Sequence, residues 1–466
     1  MPTLSRKNYL WYCIAVVLFG TVIPAAAQTK PYLQDIQVVR DEPRASGNPL
    51  ITKTASVDAV KPVTISHSPI VTTIPVLENM AIPGYSGIIV ETVDGERVIE
   101  SGSNLTYNPA SNVKIATTYA VLKTFGPDYR FATSVWTDGS WDEPSGTIYG
   151  NLYVSGRDPV FGFEHAVALA QELNRMGIKT VQGDLVVTDN FAMNYTTSAA
   201  TSSRSLFATL DAAKRSASAN RVWNNFLVNS GRLAQTTAPN PSITFSGSVY
   251  VQSMPSNAKL IFSHESAPMR EIVKVMMCYS NNFLAERLGD LVGGPFAVAR
   301  IVQQNTGTQP SDFYLQSSSG LGINRVTPAS MMRLLRVLRN DLGRYRMSFA
   351  DIMPVAGIDK GTLEGRFDSD FAEGSVVGKT GTLGNTDGGV SALAGEMNTR
   401  GGRLLFVIFN QRGSVSRFRS FQNLYVSTIQ GQFGGAAPIT YSPLSLDYRL
   451  SKTKFSYPAW RSMGSL

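Results

Sequence analysis

Apolar and polar positions change rhythm several times along the chain, and each rhythm predicts a different kind of element. Gly87–Val93 and Arg97–Glu100 flank Asp94-Gly95, which predicts a tight β-hairpin. Asn108-Pro109 then reads as a cap followed by proline at the first helical position, opening a helix over 110–122 that stops before Gly126-Pro127. Ile115, Tyr119 and Leu122 in it are spaced four and three apart, giving one face to bury. In the middle, 152–155 and 183–187 read as strands on either side of an amphipathic helix over 164–176. The Ser-, Ala- and Thr-rich run 196–218 predicts no element. Helical periodicity returns over 268–275, 282–291, 328–342 and 348–352. The chain then reads as three strands, 374–383, 389–396 and 403–410, whose short connections predict antiparallel neighbours.

A hairpin and helix near the start, and three strands near the end, predict one sheet built from both ends of the chain. The expected organisation is an α/β catalytic domain in two parts, 81–140 and 262–436, around an inserted domain over 141–261. A tail over 437–466 follows. At the amino end, Arg6 and Lys7 precede an apolar run from Tyr9 to Ile23, and Pro24–Gln28 is rich in alanine. This predicts a secretory signal peptide over 1–27, an exported or periplasmic protein, and a linker over 28–80.

Composition sharpens this only slightly. With 466 residues, 43% hydrophobic and 16% charged, the chain has material for a large core. Cleavage would take the net charge from +8 to +6 and leave Cys278 as the sole cysteine, predicted to be a buried, inert thiol. The mild positive charge lacks Lys/Arg runs, which argues against nucleic acid and leaves room for attraction to anionic envelope polymers. The three histidines, His67, His165 and His264, are far apart in sequence and in no metal-ligand spacing. A His-based metal centre or a His-dependent serine triad is therefore not expected, and no cofactor is called for.

Three short motifs nevertheless occur in order: Ser111-Asn112-Val113-Lys114, Ser280-Asn281-Asn282 and Lys379-Thr380-Gly381-Thr382. Each alone is weak, since similar runs recur at Ser451–Lys454, Ser46–Asn48 and Ser218–Asn220. A bland reading makes Ser111 a helix-start residue, Ser280–Asn282 a cap and Lys379–Gly381 a turn. What favours chemistry is placement of the three at a helix start, beside a helix and on a strand. Residues three apart share a helix face, so Lys114 can reach the Ser111 hydroxyl. Burial and a second cation, Lys379, both disfavour a charged Lys114, and a neutral lysine can take the serine proton. Lys379 can also hold a substrate carboxylate. Ser280 can relay a proton to the leaving amine, while Asn282 can hold Lys114 and the substrate backbone. The strand at Lys379–Thr382 offers an edge for an extended peptide, and the backbone N–H groups of Ser111 and Thr382 can form an oxyanion hole.

With these motifs the sequence resembles the penicillin-binding proteins and serine β-lactamases. More narrowly it is similar to the D-alanyl-D-alanine carboxypeptidase/endopeptidase family, the class C low-molecular-mass, S13-type penicillin-binding proteins. Further stretches carry the likeness, among them Asn151–Pro159, His264–Pro268, Ser280–Glu286, Ser319-Gly320-Leu321, Asn324–Pro328 and Leu393–Gly395. The resemblance implies a penicillin-binding transpeptidase-like antiparallel sheet flanked by helices and a serine acyl-enzyme acting on peptidoglycan stem peptides. It also implies covalent inhibition by β-lactams, with cleavage of cross-links as a second activity. By position, Ser111 matches the nucleophile and Lys114 the base, while Ser280, Asn282, Lys379, Thr380, Gly381 and Thr382 match the remaining site positions. Two departures stand out. The stretch between Ser111 and Ser280 is short for the family, and Ser317-Ser318 replaces the usual Asp-Gly before Ser-Gly-Leu. The competing readings are a β-lactamase and a non-catalytic wall-binding protein.

Overall fold

The computed structural model describes residues 70–78, 80–232 and 240–459. The expected signal peptide and the linker up to residue 69 lie outside the described residues.

The central sheet has six strands in the order Val71–Thr72, Arg97–Ser101, Tyr85–Thr92, Gly402–Gln411, Val390–Thr399, Val376–Leu383, every pair antiparallel. Both ends of the chain thus contribute. Its strands alternate between two cores, as a period of two requires. Leu405, Val407 and Phe409 enter one cluster with the helices Val113–Phe125 and Pro328–Arg344. Leu404, Phe406 and Ile408 enter the other, covered by the helix Val415–Gln432 through Phe421, Tyr425 and Ile429. The result is a helix–sheet–helix sandwich with the Val376–Leu383 strand at one edge of its sheet.

The helix Val113–Phe125 is more buried than one apolar face would need. Every residue from Val113 to Leu122 is buried, including Lys114, Thr117 and Thr118, so it runs through the middle of the core. It is preceded by a separate 3₁₀ turn, Ala110–Asn112, and Ser111 sits in that turn.

A second six-stranded sheet runs Val249–Val251, Leu185–Val187, Leu152–Gly156, Ala132–Thr137, Lys259–Glu265, Lys454–Ser456. Its first three strands are mutually parallel and the rest antiparallel. This sheet reaches beyond 141–261 at both ends. Ala132–Thr137 precedes that span, Lys259–Glu265 straddles its end, and the last strand comes from the carboxyl-terminal segment.

Among the described residues, several strands, Ala132–Thr137 and Lys259–Glu265 among them, and four helices of twelve or more residues had no counterpart in the sequence reading. The Ser/Ala/Thr-rich run forms a helix, Ala199–Leu210, capped by Ser198, and a second, Ala217–Asn229, capped by Ser216, follows it. Pro295–Thr306 and Val415–Gln432 are also helical. The carboxyl-terminal residues are integral to the fold: Leu446 and Leu450 enter the main core, and Arg449 donates to Glu271 at 2.7 Å. Among the described residues no helix is long and apolar enough to cross a membrane.

Candidate active site

The three motifs converge on one cleft of about 690 Å³, lined by Ser111, Ser280, Asn282, Thr380 and Thr382 among others. The turn that presents Ser111 is tightly held. Asn108 accepts from Ala110 N–H at 3.0 Å and donates to the Gly322 carbonyl at 2.9 Å and to Asp387 at 2.8 Å. Asp387 is itself gripped by Arg325 through two hydrogen bonds of 2.8 and 3.0 Å. Burial pushes the Asp387 carboxyl up, but the Arg325 and Asn108 contacts outweigh it and hold it below the usual range. Ala110 has φ +46°, a left-handed backbone that an L-residue adopts only when its surroundings enforce it.

Lys114 is fully buried beneath Ser111. Its Nζ lies 3.0 Å from Ser111 Oγ, 2.7 Å from Asn282 Oδ1 and 2.7 Å from the Ser319 carbonyl. Asn282 and Ser319 both accept N–H, so a neutral amine in this place directs its lone pair at the serine hydroxyl. Glu286 keeps the Ser319 carbonyl there by accepting from the Ser318 and Ser319 N–H groups at 3.2 and 3.1 Å. Gly320, at φ +92°, packs where any Cβ would collide with the Ala110 carbonyl.

Ser280-Asn281-Asn282 joins two helices, Met269–Tyr279 and Asn282–Leu291. Asn281 does the capping, accepting from Leu284 N–H at 3.0 Å. That frees its neighbours to face the cleft. Ser280 closes the first helix in a left-handed conformation, φ +55°, and receives a 2.8 Å hydrogen bond from Lys379. The cap is thus made by Asn281, while Ser280 and Asn282 line the cleft.

Lys379 is fully buried, and its Nζ also donates to the Thr380 carbonyl at 2.8 Å. The exposed cation at the cleft is Arg419, which donates to Thr382 Oγ1 at 2.9 Å. Gly381 is the point where the strand touches the nucleophile turn. A Cβ there would lie 2.6 Å from the Pro109 carbonyl and 3.0 Å from Ala110 Cβ. Its role in this geometry is close approach, which brings the Thr382 and Ser111 backbones to the same cleft.

His165 and His264 are buried with ring centroids 5.0 Å apart, although far apart in sequence. Neither lines the cleft. Burial pushes the Cys278 thiol up to about 11, as expected of an inert core cysteine.

Residues 75–206 and 208–423 match the model of the D-Ala-D-Ala carboxypeptidase 3 (S13) family. The chain belongs to this family. A D-alanyl-D-alanine carboxypeptidase of Actinomadura sp. (strain R39) is 26% identical over 462 residues, spanning 78% of this chain and 84% of the relative. The carboxypeptidase DacB of Mycolicibacterium smegmatis is 26% identical over 383 residues, 73% of this chain and 79% of the relative. Among solved structures, a predatory peptidoglycan endopeptidase from Bdellovibrio bacteriovorus superimposes with TM-score 0.66 at 22% identity, covering 81% of this chain and 100% of the other. Penicillin-binding protein 4 from Haemophilus influenzae does so with TM-score 0.55 at 21% identity, covering 74% and 97%. The S13 fold is thus shared, with its antiparallel sheet flanked by helices.

Asn108 was read from the sequence only as a helix cap, and Glu286, the Ser319 carbonyl, Asp387, Arg325 and Arg419, which also brace or line this S13 site, were assigned no role. Of these five, Glu286 had a local signal, lying one helical turn after Asn282 on the same helix. The others meet the site only through tertiary contacts.

Proposed function

We propose that the protein is a serine D-Ala-D-Ala carboxypeptidase of bacterial wall peptides, with Ser111 as nucleophile and Lys114 as its base. The observation that carries this is the seating of Lys114 Nζ between Asn282, Ser319 and Ser111 Oγ. Ser111 Oγ attacks the carbonyl carbon of the scissile D-Ala–D-Ala bond while its proton passes to Lys114 Nζ. The oxyanion is received by the Ser111 and Thr382 N–H groups, donors of a kind typically worth about 10²–10³ in rate. The proton then goes through the Ser280 hydroxyl, steadied by Lys379, to the departing amine. The C–N bond breaks and D-Ala leaves. Water next attacks the ester, Ser111 recovers its proton, and the shortened peptide is released.

Cross-linked peptides enter the same scheme with a longer leaving amine, so cross-link cleavage is part of the reading. A β-lactam ring opens onto Ser111 in the first step. Among the described residues no Asp, Glu or His lines the cleft beside Ser111, which favours trapping of β-lactams over their turnover. The apolar run Tyr9–Ile23 behind Arg6 and Lys7 supports export to the wall side of the membrane, where peripheral association with anionic polymers fits the positive net charge.

The test is purified protein with pentapeptide and cross-linked muropeptides, products read by mass, beside labelled penicillin. Release of D-Ala and a stable adduct, both lost in Ser111→Ala, are expected. An undiminished adduct in that variant would overturn the assignment of Ser111.

A further inference from the structure

A second cleft, of about 780 Å³, lies at the far end of two elements that form the first, and the two clefts share no lining residue. The helix Met269–Tyr279 starts in it with Arg270 and Glu271 and is followed directly by Ser280 in the Ser111 cleft. The strand Val376–Leu383 likewise gives Val377 to this cleft and Thr380 and Thr382 to the other. One wall is the carboxyl-terminal segment between Ile439 and Lys452, which lies beyond the residues matched to the S13 family. The cleft is therefore completed by a segment outside that match.

Five cations line it, Arg130, Arg270, Arg403, Arg449 and Lys452, against three carboxylates. Those carboxylates are already engaged. Glu271 accepts from Arg449 at 2.7 Å and from Lys452 at 2.5 Å. Asp351 accepts from the Ser348 N–H and hydroxyl at 2.7 and 3.0 Å. Glu396 stands 3.4 Å from Arg339 and 3.7 Å from Arg403, and burial outweighs both to push its carboxyl up. Arg130 donates to the Ser266 and Lys452 carbonyls, each at 2.6 Å, and has no acidic partner among the described residues. Arg270 pairs with Asp128, which is exposed and does not line the cleft. A cleft with surplus cations concentrates anions, and guanidinium groups take carboxylates through paired hydrogen bonds. The three carboxylates in the same walls oppose a uniform chain of phosphates and suit a ligand that also bears an amine.

We infer that this cleft is a second, non-catalytic site for an acidic wall peptide, one with more carboxylates than amines, and that the carboxyl-terminal segment builds it. The identity of the ligand rests on the wall-peptide reading of the Ser111 cleft. Arg130, Arg270 and Arg403 meet the carboxylates, and Asp351, which is exposed, meets the amine. Glu271, held by Arg449 and Lys452, ties the carboxyl-terminal wall to the helix that leads to Ser280. The protein thereby holds one stem peptide while another is cut. On a polymer that carries many such peptides, two sites on one chain retain it far longer than either site alone.

Calorimetry of Ser111→Ala protein with a free-acid wall pentapeptide counts the peptides bound without turnover. Two per chain are expected. Arg270→Gln combined with Arg403→Gln in that background should weaken one of the two about 10-fold, the low end for charge-assisted hydrogen bonds. Arg403→Lys in place of Arg403→Gln should restore part of the loss, and added salt should weaken this site. One peptide per chain, or two whose affinities the double variant leaves unchanged, overturns the inference. So does tighter binding of poly(glycerol phosphate) than of the peptide at this cleft, which would make a phosphodiester polymer the occupant. D-Ala release by the protein with Ser111 intact reports separately on the carboxypeptidase reading: release beside a single bound peptide removes the second site alone. The Arg270 and Arg403 side chains are 38% and 49% exposed, so their variants leave the core untouched, and an unchanged unfolding midpoint verifies this.

Discussion

Asn108 and Asp387, 279 positions apart, share a 2.8 Å hydrogen bond that ties the nucleophile turn to the loop after the Lys379 strand. Arg325 completes the clamp from a third segment. Asp387→Ala should leave the fold intact and slow acylation by labelled penicillin about 10²-fold, the effect of a displaced reacting group. The carboxyl is held below its ordinary range when folded, so it stabilises the protein fully above about pH 4. That contribution is lost as pH falls through the lowered folded value. Unfolding midpoints measured from pH 6 downward should converge between wild type and Asp387→Asn at the acid end and diverge above it.

Lys114 is held by three oxygens, and its replacement by methionine removes the base while filling its space. Acylation should fall by about 10²–10⁴. Asn282→Ala, which frees the amine from one of its acceptors, should cause a smaller loss. Stopped-flow acylation rates with penicillin give both numbers, and near-normal rates in Lys114→Met would exclude Lys114 as the base.

Gly381→Ala places a Cβ 2.6 Å from the Pro109 carbonyl, so either the strand or the nucleophile turn must move. Substrate hydrolysis and penicillin labelling should fall together, because both depend on the Ser111–Thr382 spacing. Adducts quantified by mass spectrometry will show whether they do.

Cys278 is buried and its thiol is pushed up to about 11. It should resist alkylation in the native protein at pH 8 and react promptly in denaturant. Measurable labelling of the native protein would place the residue at a surface instead.

Ending the chain after residue 436 removes Arg449 and Lys452, which bond Glu271 at 2.7 and 2.5 Å, and Tyr441, which bonds Asp359 at 2.8 Å. Glu271 would lose both cations, and the main core would lose Leu446 and Leu450. A loss of at least about 3 kcal/mol is expected, read from urea unfolding of the full and shortened proteins.

The hairpin, the nucleophile helix and the three final strands were legible because each declares itself over a few neighbouring residues. The three motifs that meet in the cleft were legible for the same reason, since Ser111–Lys114 and Ser280–Asn282 each lie within one turn. The helix Val415–Gln432 was hidden by its many polar residues, although Phe418, Phe421, Tyr425 and Ile429 do keep a helical spacing. Ala199–Leu210 was hidden by small hydroxyl residues, which mask the contrast between faces. The clamp on Asn108 by Asp387, the Ser319 carbonyl under Lys114 and the contact of Arg419 with Thr382 are contacts that no local pattern announces. Each is a meeting of segments far apart in the chain, and the fold alone brings them together.

The central sheet pairs Tyr85–Thr92 with Gly402–Gln411, and the second sheet closes on Lys454–Ser456. A ribosome delivers these partners hundreds of residues apart in time. While the chain is still being made, Ser111 has no Lys379–Thr382 strand beside it. The cleft can assemble only after the helix Val415–Gln432 has emerged, because Arg419 and Asn423 line it with Ser111, so a shorter nascent chain lacks it.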